Sequence, residues 1–324
     1  MKMVHRVHIC VVAFVTAVIL TSCSVINWAS IVGSKLPPPA EKVDERLVDA
    51  NIKFSFKLFN QLIGDQVKDN VFVCPASIAM ALTMTYNGAD GETKEAMVRV
   101  LELQNMSIEE INKANADLLT ILQNPDPNIK ISIANSIWIR EGVSFYKEFL
   151  DVNKEFYHAY IEHLDFSSSQ ASNIINKWIK ERTNGRIDKV VDEQINPNTM
   201  MFLVNALYFK GGWANKFDPK LTQEVPFILD DGTQKNCSMM FQSGRYSYFK
   251  GDSFQAVSLP YGKGRISMVI ILPDEGVSLK DLRQSINLEN WKTWMNSLSE
   301  TEGEIGLPKF KVEYEAKMEK ALEN

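Results

Sequence analysis

Met200-Met201-Phe202-Leu203-Val204-Asn205-Ala206-Leu207-Tyr208-Phe209 is the stretch that decides the fold. It is an apolar run broken by one amide, Asn205. A run of this kind, without polar alternation, marks a strand covered on both faces. The amide inside it has to find partners, because a buried polar group left unpaired costs about 1–3 kcal/mol.

Upstream of this strand the spacing is mostly helical. Leu47, Val48, Phe54, Leu58, Phe59 and Leu62 predict a helix from Arg46 to Gly64. Val71-Phe72-Val73 predicts a short buried strand closed by Pro75. Residues 77–86, apolar almost all round, predict a helix buried in a large core, and 92–103 predict another beyond Gly88 and Gly91. Ser107-Ile108-Glu109-Glu110 is a capping-box signature opening a helix that runs to Leu122 and stops at Asn124-Pro125. Alternation over 129–139 predicts a strand, 145–157 a helix, and Ile174, Ile175, Trp178 and Ile179 one helical stripe ended by Asn184-Gly185. Downstream, strands take over. Hairpins are expected around Asp231-Gly232 and around Gly262-Lys263-Gly264, with helices near 279–286 and 291–298. A strand over 303–314 and a helix opening at 316–322 follow. Helices early and strands late make the class α+β rather than an alternating doubly wound sheet.

The chain of 324 residues is 45% hydrophobic and 23% charged, enough for a substantial core. Its first residues are set apart. Lys2 and Arg6 precede an apolar run over 9–20, the length of a signal-peptide core and short of the ~20 residues a membrane span requires. The run ends in Leu20-Thr21-Ser22-Cys23, similar to a bacterial or archaeal lipobox, in which a thiol receives the lipid and small neighbours fit the signal peptidase. The expected organisation is a signal peptide over 1–22, a lipidated Cys23 with a tether over 24–45, and a globular domain from 46 to 324. Plain secretion and a retained anchor are the alternatives. Pro37-Pro38-Pro39 favours an extended spacer. The domain would then stand outside the cytoplasm, membrane-anchored at the cell surface or in the periplasm.

Without the leader the chain carries 33 basic against 40 acidic side chains and no Lys/Arg block, which offers nucleic acid no electrostatic footprint. The body has two cysteines, Cys74 and Cys237, and two histidines, His158 and His163. No C-x-x-C, G-x-S-x-G, phosphate loop or H-E-x-x-H is present. A Cys74–Cys237 disulfide and two buried thiols are the two readings of the cysteines, the second being the expectation. Asp230-Asp231 and the carboxylates of 188–193 read as turn and solvated-face residues. Neither an enzyme nor a cofactor or metal site is expected.

Several stretches resemble the serpin family. They are Asn70-Val71-Phe72-Val73-Cys74-Pro75-Ala76-Ser77-Ile78, Tyr86-Asn87-Gly88-Ala89 and Gly91-Glu92-Thr93-Lys94-Glu95-Ala96-Met97. Thr183-Asn184-Gly185-Arg186-Ile187, Asn205-Ala206-Leu207-Tyr208-Phe209-Lys210-Gly211-Gly212-Trp213, Leu259-Pro260-Tyr261 and Leu307-Pro308-Lys309-Phe310 continue it in order. The resemblance implies an α+β fold of about nine helices and three β-sheets. It implies inhibition of serine endopeptidases, with cysteine endopeptidases a second class, by a metastable protein whose cleaved reactive-centre loop inserts into the main sheet.

By the same resemblance Cys74, Ser77 and Asn205 fall in the shutter beneath that sheet, and Trp213 at the breach where insertion begins. The family usually has serine where this chain has Cys74, and a thiol is the poorer hydrogen-bond partner. Glycosaminoglycan binding through the fourth helix is not supported, since Lys113 there faces Glu109, Glu110 and Asp117. The reactive-centre loop and the C-terminal strands are expected to lie beyond Asn324, so no reactive bond is assigned. The alternative is a truncated, non-inhibitory chain with at most a surface binding role.

Overall fold

The computed structural model describes residues 42–64, 70–123, 126–229 and 232–316. The leader, Cys23, the tether up to residue 41, Asn124-Pro125, Asp230-Asp231 and all but the first residue of the helix expected over 316–322 lie outside them. The chain folds as two compact units, one formed by residues 42–54 and 75–210, the other by 55–74 and 211–316. Helix α1, Glu45–Ile63, contributes to both. Leu47, Ala50, Phe54 and Leu58 recur along it at three- and four-residue spacing and are buried, while Lys53 and Lys57 are exposed.

The first unit holds α2 (Pro75–Tyr86), α3 (Gly91–Val100), α4 (Ile108–Gln123), β1 (Ile129–Arg140), α5 (Lys147–Tyr157), β2 (Tyr160–Leu164), α6 (Ala171–Arg182) and β3 (Met201–Gly211). Its sheet has the order β2-β1-β3. β1 and β2 run parallel, from Ser136 opposite Tyr160 to Arg140 opposite Leu164, which requires the crossover that α5 supplies. The capping box forms as its sequence demands. The Ser107 amide donates to Glu110 Oε2 (2.8 Å) and the Glu110 amide to Ser107 Oγ (3.3 Å). Arg46, in the first turn of α1, donates to Glu110 Oε1 and Asp44 Oδ2, both at 2.8 Å. Helix α6 ends where Asn184 and Gly185 take positive φ, 52° and 73°, so that the Gly185 amide can donate to the Lys180 carbonyl (2.8 Å).

The core beneath α6 gathers Trp138, Phe166, Ala171, Ile175, Ile179, Val191, Val204 and Ala206. Ile174 was expected in that stripe, but it is 40% exposed. At 100° per residue it turns away from the face that Ala171, Ile175 and Ile179 bury.

The second unit is dominated by antiparallel strands: β4 (Gln223–Ile228), β5 (Gln234–Lys250), β6 (Phe254–Tyr261), β7 (Ile266–Pro273) and β8 (Ser299–Pro308), with α7 (Leu279–Ser285) and α8 (Leu288–Ser297) between the last two. The 17-residue β5 carries β4 against its first residues, β8 along 239–248 and β6 against its last. Its length joins into one sheet what separate hairpins would have left apart. Pro226 is tolerated because β4 is an edge strand. At Gly251, which turns β5 into β6, an added Cβ would stand 2.5 Å from the Phe254 ring.

Among the described residues there are eight α-helices and two sheets, an α+β fold as expected. Two strand expectations fail. Val71-Phe72-Val73 joins no ladder and Phe72 is 49% exposed. An extended segment becomes a strand only against a partner, and no described strand pairs with it. The strand expected over 303–314 runs over Ser299–Pro308 instead, where β5 offers a register from Tyr248 back to Met239. Residues 309–316 belong to no strand.

Candidate functional site

In β3, Val204 and Ala206 are buried against the α6 core, so the two-residue period turns Asn205 to the opposite face. There Ser77, in the first turn of α2, donates from Oγ to Asn205 Oδ1. The Asn205 amide donates in turn to Asn135 Oδ1 on β1 (2.6 Å). Asn135 is buried; its own amide donates to the Tyr157 carbonyl at the end of α5 (2.7 Å) and lies 3.8 Å from the Met80 sulfur. Ser77 and Asn205, expected to meet, are thus brought together. Both are half-buried rather than enclosed, and the fully sequestered member of the cluster is Asn135. The signal for Asn135 was available. In the alternation over 129–139 it is the amide on the face otherwise made of Ile129, Ile131, Ile133, Ile137 and Ile139, where an apolar residue is expected.

Cys74 stands immediately before α2, and it and Cys237 are both half-buried. No disulfide joins them. Burial, with Glu224 nearby, pushes the Cys237 thiol above its ordinary range, which disfavours the reactive thiolate.

Trp213 sits in the other unit. Its ring stacks on Tyr261 with centroids 4.4 Å apart and planes 13° from parallel, and Phe217 meets it edge-on at 6.1 Å. Backbone bonds hold the pair: the Ala214 amide donates to the Pro260 carbonyl (2.8 Å), the Gly262 amide to the Gly212 carbonyl (2.9 Å). Burial pushes the Tyr261 hydroxyl up to about 12.

No group of three or more His, Cys, Asp or Glu side chains among the described residues could hold a metal ion. The exposed carboxylates of 188–193 pair locally, Asp188 with Lys180 and Asp192 with Lys189, as solvated-face residues do.

Comparison with known proteins identifies the frame around these clusters. Residues 49–324 match the family model described as Serpin (serine protease inhibitor). An uncharacterised serpin-like protein of Thermococcus kodakarensis is 32% identical over 298 residues, covering 91% of this chain and 69% of the relative. Human Serpin B9 is 32% identical over 285 residues, covering 86% and 75%. Among solved structures, native tengpin, a thermophilic serpin, superposes with a TM-score of 0.79 at 33% identity, over 87% of this chain and 71% of that one. Emu ovalbumin gives 0.80 at 28%, over 85% and 76%. Sequence, architecture and the order of the motifs agree: the chain belongs to the serpin family, an inhibitor fold and not an enzyme.

Proposed function

We propose that the protein inhibits serine endopeptidases, with cysteine endopeptidases as a second target class, by a conformational trap in which a cleaved loop enters the sheet beside β3. The observation that carries this reading is the Ser77–Asn205–Asn135 bond chain. Among the described residues β3 pairs with β1 alone and is an edge, and Asn205 fastens that edge to α2 on the far side of the sheet from α6. A strand held by a few polar bonds, rather than by a second ladder, can move aside and be re-fastened at modest cost, since each bond is worth only about 0.5–1.5 kcal/mol net.

The test is incubation with trypsin-, elastase- and papain-like proteases, followed by denaturing electrophoresis. The protein is expected to form a denaturant-stable adduct with a serine protease of the panel. Cleavage without any adduct across a broad panel would overturn the reading.

We also propose that the protein is held at a membrane outside the cytoplasm by a lipid on Cys23, on the strength of Leu20-Thr21-Ser22-Cys23 following a signal-length apolar run. In a Gram-negative host it should fractionate with membranes, and Cys23→Ala should release it. Membrane association that survives the substitution defeats this assignment.

A further inference from the structure

The cluster around Asn205 does not end at the Tyr157 carbonyl. Tyr157 closes α5 with no exposed surface, and its hydroxyl donates to Asn112 Oδ1 on α4 (2.7 Å). Asn112 is itself buried and forms a reciprocal pair with Asn87, just past the end of α2. Asn112 Nδ2 donates to Asn87 Oδ1 (2.8 Å) and Asn87 Nδ2 to Asn112 Oδ1 (3.1 Å). Asn87 also donates to the Thr83 carbonyl (3.3 Å). One unbroken chain of hydrogen bonds therefore runs from the half-buried Asn87 at a helix corner, through Tyr157, to the amide that fastens β3.

We propose that Asn87 and Asn112 are positioning residues, which lock the Tyr157 hydroxyl and thereby hold the Tyr157 carbonyl where it captures Asn135 beneath β3. Tyr157 is suited to this because its two polar atoms face opposite neighbours, and the residue after it, His158, turns into the left-handed region at φ 51°. Backbone bonds such as that from the Ala159 amide to the Asn153 carbonyl (3.1 Å) close α5 on itself, and the hydroxyl bond ties its last turn to α4. Burial pushes the Tyr157 hydroxyl above its ordinary range, so it remains a donor at every physiological pH. The Asn112 oxygen takes two donors, from Tyr157 and Asn87, and so has no remaining lone pair for a competing partner. The lock adds to the trapping function proposed above and rests on it for its purpose, since it sets how readily the β3 fastening opens.

The bond chain itself is tested without any protease. On the full chain with labelled asparagine, the exchange of the Asn135 side-chain amide protons with solvent is followed by NMR. Tyr157→Phe keeps the ring and removes only the hydroxyl, and it should speed that exchange about tenfold, the scale of one net hydrogen bond. Asn87→Ala should do the same although it touches neither Asn135 nor Tyr157's carbonyl. Asn87→Asp retains an acceptor for Asn112 Nδ2 and should restore most of the wild-type rate. Asn115→Ala, on α4 like Asn112 but bonded among the described residues to the Ile111 carbonyl, should leave the rate unchanged. Rates within about twofold of wild type in both Tyr157→Phe and Asn87→Ala overturn the proposal. So does an equal acceleration in Asn115→Ala, which would mean general loosening.

Discussion

In the unit of residues 42–54 and 75–210, eight polar side chains are buried, among them Thr83, Asn112, Asn135 and Asn153; in the other unit Ser55 alone is, among the described residues. The second unit fills its interior with rings and aliphatic groups instead, Tyr246, Leu259 and Leu307 beside Trp213, Phe217 and Ile270. The difference is physical and not only compositional. Apolar packing is non-directional and tolerates small shifts, whereas a buried amide network is satisfied in one geometry and penalised in others. The first unit is accordingly built to hold discrete arrangements, the second to persist as a platform.

That contrast can be broken at its strongest point. Asn135→Ala would strand both the Asn205 amide and the Tyr157 carbonyl, and should cost about 3 kcal/mol, read as a lowered urea midpoint with unchanged slope. Asn205→Ala, at a half-buried position, should cost less, about 1–2 kcal/mol. Equal midpoints for both variants and wild type would show that the amides add nothing beyond their volume. In the second unit Trp213→Leu keeps apolar bulk and removes the stack on Tyr261. A loss of about 0.5–1.5 kcal/mol is expected, and a loss above that of Asn135→Ala would reverse the comparison.

The smallest effect sharpens it with charge. Arg46 holds the Asp44 and Glu110 carboxyls below their ordinary ranges, chiefly through side-chain hydrogen bonds. Both are depressed in the folded state, so the stability they contribute is in place above the ordinary carboxylate values and is lost as pH falls through the lowered ones. Wild type and Arg46→Ala should therefore differ slightly at neutral pH and converge in acid. The difference should shrink with added salt because these groups are exposed. A gap that widens in acid would mean the ion pairs are not its source.

How much of this was legible in the sequence depended on range. The Ser107 capping box, the Asn184-Gly185 stop and the hairpin at 262–264 are set by neighbours, and they appear where the residues place them. The doubly covered strand at Asn205 was legible because its apolar run admits one environment. Val71-Phe72-Val73 and the residues after Pro308 were misread because strand pairing is a long-range property, decided by what lies alongside rather than by propensity. Ser77 and Asn205 were placed together by resemblance. Asn87 and Asn112, 25 residues apart, were not, since nothing local marks two asparagines that meet only after α4 packs beside the end of α2.

The long β5 has a consequence for synthesis. Its residues 240–246 find their ladder partner only in 301–307 among the described residues, in the strand made about fifty residues later, after both late helices. At ~5–20 residues per second, a nascent chain carries that edge open for roughly 3–10 s, with Met240 and Phe241 on it. A hairpin would have closed within microseconds. The seam that later unifies the sheet is, on the ribosome, the segment most in need of a chaperone's cover.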